Sequence, residues 1–199
     1  LIDNNSSINT DIMNFLSIDC STDTGSLFIK IENKTFSKVL QSDKCNNDLL
    51  MKQILDFFDE NGLNLKDVSQ IFVNQGPGNF SGLRGSIAIA KGLSLSNNLK
   101  LSGYDTFIWS CAKFLDKPNL IYSLIKFRGK YFLKKFNKDF TSFSIIEEKT
   151  EDEILEKYER MVKVIPKKIS KEFSEKILGL NNLSIVELEH SRLEFLQLK

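Results

Sequence analysis

Histidine is almost missing from this chain: His190 is the single one in 199 residues. A metal centre built on several imidazoles is therefore excluded within one chain. A hydrolase that uses His as its base would have to use His190, which lies close to the C-terminal end and reads as a solvated surface residue. Cysteine is scarce too. Cys20, Cys45 and Cys111 lie far apart, without C-x-x-C spacing. That argues against a disulfide framework or a zinc site and for a reducing compartment. Charge of one sign is not in excess: 27 Lys and Arg stand against 26 Asp and Glu. General polyanion binding needs a clear basic surplus on one face, so that class is set aside. No apolar run approaches the roughly 18 residues of a membrane span. No charged start followed by an apolar core resembles a signal peptide. The expected location is the cytoplasm.

What is present is an ordinary globular balance, 41% hydrophobic and 27% charged. Residues 1–14 are polar, lack periodicity and are expected to be a disordered extension, of which 1–12 are dispensable, with Met13 as the natural start. Three strands are predicted at 15–19, 26–31 and 34–40, joined by turns at Thr24-Gly25 and Glu32-Asn33-Lys34. A helix follows over 47–61, stopped by Asn61-Gly62. Then come a strand at 71–73, a helix at 81–97 with Ser81 as its cap, a strand at 101–104 and a helix at 106–115. Lys117-Pro118 marks a boundary between a first lobe, 15–116, and a smaller α/β lobe, 117–199. The second lobe is expected to hold strands near 120–125, 130–137 and 140–146, a helix at 151–160, a strand at 161–165 and a helix at 170–178. The pattern restarts in shortened form. A duplicated RNase H-like α/β core is the architecture of the actin and sugar-kinase superfamily.

Gly76-Pro77-Gly78-Asn79-Phe80-Ser81-Gly82-Leu83-Arg84 is the most specific local signal. It is a strand-to-helix turn in which glycines permit positive φ and Pro77 fixes one angle. Such a turn could hold an anion at the helix N-terminus, or merely start the helix. It is not a P-loop, because no Gly-Lys-Ser/Thr follows. Asp19 ends the first strand, with Ser21 and Thr22 in the next turn. That arrangement could serve phosphate and magnesium, or Asp19 could cap its own turn. Asp19, Ser21, Thr22, Gly76 and Gly78 are thus candidates for a vestigial phosphate loop. Cys20 follows an acid that raises a thiol's pKa, and Cys111 reads as packing. Neither suits a nucleophile, and no His neighbours the serines to complete a triad.

The Gly76–Arg84 stretch resembles the G-P-G-S/N-F-T/S-G-L/V-R signature of the TsaB (YeaZ) family. Leu16-Ser17-Ile18-Asp19-Cys20-Ser21-Thr22, Leu63–Val68, Gly103-Tyr104-Asp105-Thr106-Phe107 and Arg128-Gly129-Lys130-Tyr131 resemble further segments of that family, in the same order. The chain departs from the pattern at Cys45-Asn46 and at Lys126, and past about 140 it matches weakly. The resemblance implies the two-lobe actin-like fold and a non-catalytic subunit with no cofactor of its own. It implies pairing with the catalytic subunit TsaD and the ATPase TsaE, which put threonylcarbamoyl on adenosine 37 of tRNA. The chain would meet tRNA only through that complex. Two other readings stand beside it: an autonomous actin-like ATPase or peptidase, and a regulator acting as a homodimer.

Two helices carry the expected partner face. The helix at 47–61 spreads Met51, Leu55 and Phe58 over a broad apolar arc. The helix at 81–97 is apolar almost all round, including Ile89, and carries Gly85, Ala88, Gly92 and Ser96 as a stripe of small residues. Either these helices pack only on each other and the sheet, or they present a shared face to equivalent helices of TsaD. The same face could close a homodimer. Lys126, Arg128, Lys130, Lys134, Lys135 and Lys138 form a basic block, and a solvated hairpin face is favoured over tRNA contact because an acidic block at 147–156 cancels its field.

Overall fold

The computed structural model describes residues 13–40, 47–114, 120–137 and 144–196. The first sheet is built from β1 (Phe15–Asp19), β2 (Ser26–Ile31), β3 (Lys34–Val39), β4 (Gln70–Asn74) and β5 (Lys100–Tyr104). Its order is β3-β2-β1-β4-β5. The first three strands run antiparallel, and β1, β4 and β5 run parallel. The second sheet uses β6 (Ile121–Phe127), β7 (Lys130–Phe136), β8 (Glu147–Lys149), β9 (Val162–Pro166) and β10 (Leu183–Val186). Read from β8, its order is β8-β7-β6-β9-β10, with the same directions. The duplicated RNase H-like architecture is present, and the second copy is shortened in its helices and outer strands.

Alternation along β1 decides what each face of the first sheet does. Leu16 and Ile18, continued by Cys20, face α1 (Asn47–Glu60) and α2 (Phe80–Asn97). That core gathers Leu50, Ile54, Phe57 and Phe58 from α1 and Ala90 and Leu93 from α2. Each fully buried side chain of this size contributes about 1.5–3 kcal/mol. Phe15 points the other way, into a second cluster with Phe28, Phe72, Tyr104, Trp109 and Leu193. Trp109 comes from α3 (Thr106–Cys111), which lies between the two sheets. Its Phe107 and Cys111 pack with Ile121, Ile125, Phe136, Val164 and Val186 of the second lobe. Cys111 is packing, as its sequence setting suggests, and burial pushes its thiol up to about 12. The far face of the second sheet is covered by α4 (Glu151–Lys157) and α5 (Glu175–Leu178) through Ile154 and Ile177.

Lys163 on β9 has no exposed surface, and among the described residues it has no ion-pair partner. Its ammonium donates to the carbonyls of Tyr158, Glu159, Met161 and Asn181 at 2.7–3.2 Å. Burial lowers its pKa, against the pull of the Glu159 charge. The four carbonyls stitch the turn after α4 to the turn before β10.

Several boundaries differ from the sequence expectation. Asn79, not Ser81, caps α2: its side chain accepts from the Gly82 N–H at 3.2 Å. The helix expected at 106–115 leaves the α conformation after Cys111 and tightens into a 3-10 turn over Ala112–Phe114. Of the strand expected at 140–146, residues 140–143 lie outside the described residues and 144–146 are irregular. The third strand is β8, in the acidic block. The helix expected at 170–178 divides into a 3-10 turn over Lys167–Glu172 and the four-residue α5. The strand β10 was not anticipated. Residues 1–12 of the expected extension lie outside the described residues, whereas Asn14 is tied down. Its side chain donates to Asp67 O and accepts from Glu32 N–H at 3.0 and 2.7 Å. Among the described residues no helix is long and apolar enough to cross a membrane.

Candidate functional site

The register of β1 on β2 sets Asp19 opposite Ser26 and Ser17 opposite Phe28. Alternation then puts the two strands' polar side chains on the face turned toward the second lobe. Asp19 is fully buried, and both its oxygens are used. Oδ1 accepts from the Ser21 N–H at 3.0 Å and from Asn74 Nδ2 at 2.9 Å. Oδ2 accepts from Lys168 Nζ at 2.9 Å. Lys168 belongs to the 3-10 turn after β9, so the pair crosses between lobes. Burial alone would push the Asp19 carboxyl up. The Lys168 ammonium and the Ser21 bond outweigh it and hold the carboxyl below its usual value. Asp19 does bond its own turn, as one of the two sequence readings has it, and it also has a cation partner from the second lobe.

The glycine turn is filled from inside. A Cβ on Gly78 would lie 2.1 Å from Ser21 O, and one on Gly82 would lie 2.4 Å from Cys20 O. The Asn79 N–H donates to Ser21 O at 2.7 Å. The glycines are small so that the turn at 20–22 can lie directly on the start of α2. Gly76, at φ 102°, takes a conformation that disfavours a side chain. Its N–H donates to the Asn74 carboxamide at 2.8 Å, and its carbonyl accepts from Thr106 N at 2.8 Å. Thr22 Oγ1 donates back to Thr24 O. The five phosphate-loop candidates therefore come together in space, with the donors named here already engaged by the chain.

His190 corrects the sequence reading. It is buried, not solvated, because the chain after β10 returns to the first lobe. Its Nδ1 and Nε2 lie 2.8 Å from Ser17 Oγ and 2.8 Å from Ser26 Oγ. The ring stacks on Phe28 at 5.7 Å and leans on Trp109 at 4.7 Å. Burial pushes its pKa down to about 4, against the Asp19 charge and with help from Lys168. Such an imidazole stays neutral at pH 7 and is a weak base. Sequence reasoning missed Lys168, Ser17, Ser26 and Asn74. One signal was available for Ser17 and Asp19: polar residues at alternate positions of an otherwise apolar buried strand require partners.

Above this floor lies an inter-lobe cleft of about 1150 Å³. Ser21, Thr22, Gly78, Asn79 and Ser26 line the first-lobe side, with Lys126, Arg128 and Lys168 opposite. In the basic hairpin, Lys130 pairs with Glu148 and Lys134 with Asp105.

The expected partner face is on the opposite side of the first sheet. Met51 and Leu55 are exposed, as are Ala88, Gly92 and Ser96. Nothing lies within 4 Å of a Cβ built on Gly92. Ile89 is half-buried against the core. Phe58 and Gly85 are buried, so neither belongs to an accessible face as the structure stands. Phe58 falls on the core side of the α1 arc, together with Phe57 and Ile54.

A family model described as "TsaD: tRNA N6-adenosine threonylcarbamoyltransferase" matches residues 42–176. Two curated proteins named "tRNA threonylcarbamoyladenosine biosynthesis protein TsaB" align with part of the chain. The one from Buchnera aphidicola subsp. Baizongia pistaciae is 31% identical over 86 residues, 42% of this chain and 38% of the relative. The one from Escherichia coli is 26% identical over 96 residues, 48% of this chain and 42% of the relative. The aligned part thus spans about two fifths of the length of these relatives. The solved structure "YeaZ from Pseudomonas aeruginosa" superposes with a TM-score of 0.67 at 14% identity, over 92% of this chain and 89% of that one. A second, of a protein "with similarity to peptidase YEAZ from Pseudomonas aeruginosa", gives 0.66 at 15% identity, over 92% and 91%. At those identities the likeness is one of fold.

Proposed function

The chain belongs to the family described as tRNA N6-adenosine threonylcarbamoyltransferase, and from that premise we propose that it serves threonylcarbamoyladenosine formation on tRNA as a non-catalytic, TsaB-like subunit in the cytoplasm. Its role is to hold and activate a TsaD transferase, with a TsaE ATPase as the third member. One observation carries this reading: in the floor of the cleft, the carboxylate and the glycine turn that an actin-like enzyme would turn to a nucleotide are already engaged by the chain itself. Asp19 is neutralised by Lys168, and the glycine turn is packed by the backbone of Ser21. A metal would first have to displace the Lys168 ammonium from the buried Asp19 carboxylate. The neutral, buried His190 likewise offers little to a hydrolase. What the first lobe offers instead is an exposed pair of helices with apolar and small residues outward.

The test is calorimetric titration of the chain with the TsaD homologue of the same organism, alongside an ATPase assay of the chain alone. Saturable binding that Leu55→Asp weakens at least tenfold, with no turnover by the chain alone, supports the reading. Absence of binding, or ATP turnover abolished by Asp19→Ala, overturns it.

A further inference from the structure

The second lobe does not end at its sheet. After β10 the chain crosses to the first lobe and lays residues 188–194 over the face of β1 and β2. Trp109 Nε1 donates to Glu189 O at 3.0 Å. His190 bridges Ser17 and Ser26. Leu193, with no exposed surface, fills the cluster of Phe15, Phe28, Phe72 and Tyr104. Glu194 pairs with Lys30 on β2. The segment thus holds to the first lobe by a ring stack, a buried leucine, three hydrogen bonds and an ion pair.

The 3-10 turn at Lys167–Glu172 sits at the root of this crossing. Lys167 pairs with Glu187, where the crossing begins. Lys168, the next residue, reaches Asp19 at 2.9 Å and Ser26 Oγ at 3.5 Å. Ser26 is therefore a joint. Its hydroxyl meets the Lys168 ammonium on one side and the His190 ring on the other, and β1–β2 register holds it directly opposite Asp19. A charge-assisted bond and a fully packed ring share one cross-strand pair of residues, so loss of one loosens the other.

We propose that residues 188–194 are an inter-lobe strap and that the Lys168–Asp19 pair is its latch, so that the chain's own side chains fix the opening between its two lobes. Hinged two-lobe folds close around a ligand that touches both halves. Here an ammonium supplied by the second lobe takes that part. The cleft opening is then a built-in property of the chain.

Hydrogen exchange and the fluorescence of Trp109, the chain's single tryptophan, test this on the full chain. In Lys168→Met, amides at 188–194 are expected to exchange at least about tenfold faster, while β4 and α1 stay within twofold of wild type. Trp109 emission should move to the red as water reaches its ring. Ser26→Ala, which removes only a hydroxyl, should change both readouts in the same direction and less. Lys38→Met, which breaks the Lys38–Glu60 pair within the first lobe, should leave 188–194 unchanged. Unaltered exchange at 188–194 in both Lys168→Met and Ser26→Ala overturns the proposal. So does equal acceleration through β4 and α1, which would make the pair a general support of the fold. Should Lys168→Met not fold, Ser26→Ala decides alone.

Discussion

The two lobes share one strand order and differ in what flanks it. The first sheet carries helices of 14 and 18 residues; the second carries helices of 7 and 4. In the second lobe Ile154 and Ile177 are buried, so the short helices have just enough surface to cover the sheet. In the first lobe Ile54, Phe57 and Phe58 already cover the sheet, and Met51, Leu55, Ala88 and Gly92 remain outside. Sheet topology is the same in both lobes, while the helical surface is larger in the first. Under the proposed role, this outward face of the helix pair is where the partner would dock.

Removing core helix surface should give the largest effects, and similar ones in both lobes. Phe58→Ala is expected to cost about 3–5 kcal/mol and Ile154→Ala about 2–5 kcal/mol in denaturant unfolding. Leu55→Ala should cost well under 1 kcal/mol, because that side chain is 40% exposed. A cost for Leu55→Ala equal to that of Phe58→Ala would erase the distinction between core and surplus. Gly78→Ala comes next, at about 1–3 kcal/mol or more, since the added carbon meets the Ser21 carbonyl. Unchanged stability there would mean that the glycine turn is more open than described.

Gly92→Leu sharpens the contrast from the partner's side. It should weaken TsaD binding by at least about 2 kcal/mol through overpacking, with the circular dichroism of the isolated chain unchanged, because Gly92 is exposed and a Cβ there meets nothing within 4 Å. Retained affinity would put the interface elsewhere.

Acid should act where the lobes meet. The His190 pKa is about 4 in the folded chain against an ordinary 6.5, so the unfolded chain binds the extra proton. Stability is full above about 6.5 and falls as pH drops toward 4. Asp19, held low, adds its loss only below the ordinary carboxylate value. A melting temperature that drops by several degrees from pH 7 to pH 5 in the wild type, and by less in His190→Gln, is the expected pattern. Equal slopes would remove His190 as the cause. The smallest effect is Gly92→Ala, which should stabilise the isolated chain by about 0.5–1 kcal/mol by helix propensity alone.

The same contrast governs what the sequence made legible. Strands β1 to β3 and helices α1 and α2 were read within a residue or so, because long periodic patterns are hard to mistake. The second lobe gave less. The strand β8 is Glu-Glu-Lys on an exposed edge and has no apolar alternation to show. The strand β10 has four residues, too few to establish a period. The site divided likewise. The glycine turn and Asp19 were visible as local chemistry. Lys168 and His190 were not, because they lie 149 and 171 positions from Asp19, and only the tertiary path brings them there. His190 was placed on the surface by its nearness to the terminus, a rule that fails when a terminal segment is itself a packing element.

That long return path has a temporal side. Ser17 and His190 are 173 positions apart. At about 5–20 residues per second, a ribosome needs roughly 10–30 s to travel from one to the other. For the part of that interval that follows the making of Phe72, the sheet face of Phe15, Phe28 and Phe72 has no Leu193 to seal it. The first lobe is thus made before the strap residue that completes its aromatic cluster.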